Sequence, residues 1–110
     1  MRAQNILAVA AILWPMTALS AEFYDGNALY NMCIAQVGTL QQMECAGYIA
    51  GVSDIMAATN IICVPPGVTV QEAVDVALKY LRDNPATRHY SAASDVWVSL
   101  KESFPCQNSK

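Results

Sequence analysis

The chain has little charge, one histidine, no closely spaced cysteine pair and no sustained strand-like alternation. Only 14% of its 110 residues are charged, and the formal net charge is −3. A surface with so few cations does not suit nucleic acid or an anionic bilayer, whose phosphates demand clustered Lys and Arg. The absence of any C-x-x-C argues against a four-cysteine zinc site and against a dithiol redox enzyme. Paired carboxylates, a metal-ligand cluster and a phosphate-cradling glycine loop are also missing, so neither cofactor nor catalytic constellation is expected. His89 stands alone in a polar connection, where a surface or capping role fits better than a general base.

What is present begins with a leader. Arg2, the apolar run "ILAVAAILW" and the small residues of "TALSA" have the order of a cleaved signal peptide over residues 1–21. The apolar run is too short for a stable membrane anchor, and no cysteine at the cleavage point offers a lipid attachment. The expectation is an exported, periplasmic domain over residues 22–110. Its net charge is near −4. An acidic surface of this kind suits solubility or a basic protein partner. A domain this small is marginally stable unless cross-linked. Four cysteines, Cys33, Cys45, Cys63 and Cys106, supply the means in an oxidising compartment.

Four segments carry helical signals, and the fold class expected is all-α, a small up-down four-helix bundle. The first runs from about Asn27 to Gln36, after an N-cap in "DGN" and before Gly38. The second opens at Thr39 with Gln42 in capping-box spacing and continues to about Asn60. It is apolar nearly all round, as a central, enclosed helix would be. Asp54, on this apolar helix, reads as a hydrogen-bonded structural group. The third combines a Thr69/Glu72 capping box with an apolar face of Val70, Ala73, Val74, Ala77, Leu78 and Leu81, and stops at Asn84-Pro85. The fourth starts at Ser91 and presents Ala93, Val96, Trp97, Leu100 and Phe104 inward.

The helices restrict the disulfides. Cys45 and Cys63 bracket helix two, which would hold them about 27 Å apart, far beyond the ~7 Å that a bridge tolerates between α-carbons. Cys33 and Cys45 face each other across a helical hairpin, while Cys63 and Cys106 follow helix ends on the same side. The pairs expected are Cys33–Cys45 and Cys63–Cys106.

Gly47 and Gly51 pose a separate question, since each costs about 1 kcal/mol inside a helix relative to alanine. With Ala50, Asp54 and Ala58 they form a small-residue stripe that admits close approach of another backbone. The first reading is packing within the bundle, and the second is a homodimer seam.

The quoted segments "FYDGNAL", "CAGYIAGVSD", "CVPPGVT", "YLRDNPATRHYSAA" and "FPC", in that order, resemble the resistance-associated and type VI amidase immunity proteins, the Rap/Tai group. The resemblance spans residues 23–106. It implies a small helical, disulfide-bonded periplasmic protein, often dimeric, that blocks a peptidoglycan amidase sterically. It implies no enzymatic activity. The four cysteines and Gly47, Tyr48 and Gly51 match its structural signature. The partner-binding element expected is the third connection, carrying Asn84, Arg88, His89 and Tyr90, flanked by Asp75, Lys79 and Arg82. Two other functions compete: an acid-activated periplasmic chaperone, and an accessory subunit of an envelope complex.

Overall fold

A helix leaves its first amide protons without internal partners, and in each helix here a short polar side chain accepts one of them. In the computed structural model, which describes residues 22–107, Asp25 caps α1 (Gly26–Cys33) by accepting from the Ala28 amide at 2.8 Å. Thr39 caps α2 (Leu40–Ala58) through the Gln42 amide at 3.2 Å. Thr69 caps α3 (Val70–Asp83), and the Glu72 carboxylate accepts in return from the Thr69 amide at 2.8 Å, completing the capping box. Ser91 caps α4 (Ala92–Ser103) through the Ser94 amide at 3.1 Å. The expected leader, residues 1–21, lies outside the described residues.

The helix ends shift from expectation at two places. α1 stops at Cys33, three residues short of Gln36, and Gly38 lies beyond it in the turn, with φ +95°. α2 closes through Asn60, which takes the left-handed conformation at φ 61°. The Asn60 amide donates to the Ala57 carbonyl at 3.1 Å and the Ile61 amide to the Met56 carbonyl at 2.8 Å. These are the two bonds of a Schellman closure, and asparagine tolerates that conformation better than most residues.

Every pair of the four helices is in contact, and the core sits among them. Leu29 comes from α1, Ile49 and Met56 from α2, Val74, Ala77 and Leu81 from α3, and Ala92, Val96 and Leu100 from α4. Ile62, from the α2–α3 connection, closes one end at 1% exposure. The described residues contain no strand, only an isolated antiparallel bridge between Asp25 and Ser91. The molecule is the all-α, bundle-like domain expected. Its disulfides are the expected pairs, Cys33–Cys45 with α-carbons 5.1 Å apart and Cys63–Cys106 with α-carbons 4.8 Å apart. Among the described residues no helix is long and apolar enough to cross a membrane.

Two expectations about helix faces are corrected. α2 is not enclosed. It buries Gln42, Cys45, Ile49 and Met56 along one side, because three partners in so short a chain cover only that side. Leu40, Met43 and Ile55 lie 81%, 51% and 64% exposed on the other. Gly47, Gly51, Asp54 and Ala58 are exposed as well. Apart from the adjoining backbone of α2 itself, no atom of the described residues lies within 4 Å of where a Cβ at Gly47 or Gly51 would sit, so packing inside the bundle is not what these glycines provide. α4 is rotated by one position from the face read in its sequence. It buries Ala92, Asp95, Val96, Ser99 and Leu100, leaving Ala93 exposed and Trp97 40% exposed. Both faces share Val96 and Leu100, so the apolar spacing could not separate them.

Candidate partner-binding surface

The α3–α4 connection is short and held at both sides. Asn84 ends α3, and its side-chain amide donates to the Tyr80 carbonyl at 2.9 Å, satisfying an acceptor the helix leaves free. Pro85–Thr87 then form a single 3-10 turn. The Arg88 amide donates to the Pro85 carbonyl at 3.3 Å and the Tyr90 amide to the Thr87 carbonyl at 2.9 Å. The start of the domain runs alongside. The Gly26 amide donates to the Tyr90 carbonyl at 2.9 Å, the Asn27 amide to the Arg88 carbonyl at 2.8 Å, and the Ala92 amide to the Tyr24 carbonyl at 2.9 Å. A connection with its backbone bonded this way is a shaped surface rather than a mobile linker.

Its side chains divide into two groups. Arg88 turns back onto the fold: it is half-buried, and its guanidinium carbon lies 4.1 Å from the centre of the Tyr30 ring on α1, a cation–π contact. His89 and Tyr90 face solvent, with ring centres 4.3 Å apart and Tyr90 52% exposed. They form an outward aromatic pair of the kind that anchors protein interfaces at low entropic cost.

The expected flank follows from α3. Asp75, Lys79 and Arg82 are exposed. Gln71 donates to Asp75 at 2.9 Å, and Lys79 pairs with Asp83 at 2.7 Å. The Lys79 ammonium bonded to Asp83 holds that carboxyl below its ordinary range. A groove of about 390 Å³ runs between α3 and α4, bordered by Lys79, Tyr80, Asp83, Asn84, Ser99 and Glu102. It joins Lys79 to Asn84. His89 and Tyr90 lie outside the groove, nearer the N-terminus of α4, and Asp75 and Arg82 do not line it either.

Sequence reasoning missed two residues that shape this surface, Gly26 and Asp95. Asp95 is 2% exposed and directs its carboxyl toward the Gly26 backbone. The signal for it was available: a helical face starting at Ala92 instead of Ala93 passes through position 95. Gly26 had no such signal, because the element that crowds it lies more than sixty residues away in the chain. Among the described residues no group of His, Cys, Asp or Glu is placed to hold a metal ion, and every cysteine described is bridged.

Among curated proteins, none matches the chain. The model of the Rap1a immunity proteins matches residues 25–106, from the cap of α1 to the last cysteine, and on that match the chain belongs to the Rap1a immunity protein family.

Proposed function

We propose that this protein is a periplasmic immunity protein that inhibits a type VI-delivered peptidoglycan amidase by occluding its active-site cleft. Family membership gives the coarser part, an immunity protein whose partner is a secreted protein effector. The observation that carries the finer part is the exposed His89–Tyr90 pair on a connection whose backbone is bonded along its length. A rigid aromatic projection enters a cleft with little ordering cost, and inhibition by occlusion requires no chemistry of the inhibitor. The leader read over residues 1–21 accords with export to the compartment where such an effector would act.

Binding to an amidase effector, measured by calorimetry, should weaken by about 2 kcal/mol on Tyr90→Ala, the range of a central aromatic anchor. His89→Ala should weaken it less. Arg88→Ala should act mainly through stability, since its guanidinium rests on Tyr30. Undiminished affinity in the His89/Tyr90 double variant would remove this connection from the interface.

A homodimer seam on α2 forms part of the same proposal. Leu40, Met43 and Ile55 flank Gly47 and Gly51 on a face that none of the described residues covers. Two such helices can pack closely about a two-fold axis only where side chains are absent at the crossing. Gly51→Leu should therefore give a folded monomer, whose isolated domain gains up to the ~1 kcal/mol that glycine costs a helix while it loses the stabilisation of dimerisation. Sedimentation distinguishes the cases: a variant that stays dimeric places the seam elsewhere.

A further inference from the structure

Asp95 is a buried carboxyl that the proposed function does not use. It is 2% exposed, and its Oδ2 is shut from solvent with no hydrogen-bond partner. An ionised oxygen so placed is among the costliest groups a protein can hold, whereas a neutral acid avoids that cost and gains a proton to donate. The position marks a junction. Oδ2 lies 2.2 Å, and the Arg88 carbonyl oxygen 2.7 Å, from the point a Cβ on Gly26 would occupy. The acid therefore rests where the Gly26 and Asn27 amides meet the Tyr90 and Arg88 carbonyls. The Arg88 carbonyl accepts from Asn27 and has a second lone pair beside this acid.

We propose that Asp95 is a positioning residue that, as a neutral acid, pins the α3–α4 connection to the start of α1, and that its ionisation loosens the pin. The charged groups around it are few. From the start of α1 comes Asp25, and from the connection come His89 and Arg88, whose guanidinium carbon lies over Tyr30 while its Nε is buried without a hydrogen-bond partner. The buried faces of α2 and α3 carry no charged side chain, Gln42 being their one polar member. Burial raises the Asp95 carboxyl above its ordinary range, the Thr87 hydroxyl and His89 oppose this, and Asp25 adds to it. A raised acid is neutral in folded and unfolded chains alike below about pH 4, where the pin is whole. Its contribution is lost as pH rises through the folded value. The consequence for partner binding rests on the occlusion reading above, but the pin itself does not.

The test uses the purified protein without any partner, so its failure leaves the occlusion reading standing. Carbon NMR of the Asp95 carboxyl and exchange protection of the Gly26, Asn27 and Ala92 amides would be followed against pH. The carboxyl should titrate above an ordinary aspartate. The three protections should fall by up to about tenfold per pH unit across the same range, while that of Ile49 in the core holds. Asp95→Asn, neutral at every pH, should keep the protection and abolish its pH dependence. A carboxyl titrating at or below the ordinary range, or amide protection indifferent to pH, would overturn the proposal. The wild-type titration decides it even if the variant does not fold.

Discussion

Gly26→Ala should destabilise the protein by on the order of 3 kcal/mol or more, although the change adds a single methyl group. That methyl would meet Asp95 Oδ2 at 2.2 Å, the Arg88 carbonyl oxygen at 2.7 Å and the Arg88 α-carbon at 2.8 Å. The carboxyl can rotate. The Arg88 backbone cannot retreat without giving up the bonds from Gly26 to Tyr90 and from Asn27 to Arg88, each contributing about 1 kcal/mol. The same substitution at Gly47, where no described atom beyond the adjoining helix backbone lies within 4 Å, should instead stabilise an isolated domain by up to about 1 kcal/mol. Denaturant midpoints of the two variants should move in opposite directions. If Gly26→Ala stays within about 0.5 kcal/mol of wild type, the close approach of α1 to the connection is wrong.

Removing the Cys63–Cys106 bridge by a double change to alanine should cost about 4 kcal/mol, the loop-closure entropy returned to the unfolded chain. The bridge spans 43 positions against 12 for Cys33–Cys45, so it restricts far more of the chain. Cys63 is exposed and Cys106 only half-buried, so little packing disappears with the sulfurs. The loss is therefore a clean measure of closure. Small domains hold only about 5–15 kcal/mol in total, and a loss of 4 would leave a substantial unfolded fraction on mild warming. The backbone hydrogen bond from the Cys63 amide to the Phe104 carbonyl, 3.0 Å, remains at this end. Thermal melts of wild type and variant, both without reductant, measure the difference. A loss below about 1 kcal/mol would mean that the unfolded chain is already closed there by residual structure.

The acid-activated chaperone expected as a competitor requires the fold to open as pH falls. Asp95 acts in the opposite sense, because a buried acid with a raised pKa favours the folded state at low pH. The uncovered apolar face of α2 is a feature both functions can use, and the outcome for Gly51→Leu bears on it directly.

The sequence alone determined the elements and their covalent ties. Thr39, Thr69 and Ser91 announced three helix starts, because an N-cap is a local bargain between a side chain and amides two or three residues on. Helix length excluded a Cys45–Cys63 bridge, and the up-down order of the helices then set Cys33 beside Cys45 and Cys63 beside Cys106. What only the tertiary structure decided was which side of each rod faces inward. On α2, apolar residues lie all around, so no periodicity separates the covered side from the bare one that carries Gly47 and Gly51. On α4, two overlapping stripes share Val96 and Leu100, and contact with α1 and α3 selects the one containing Asp95. Local signals act over a few residues, whereas the choice of face depends on the total area all four helices bury together, a quantity no single segment contains.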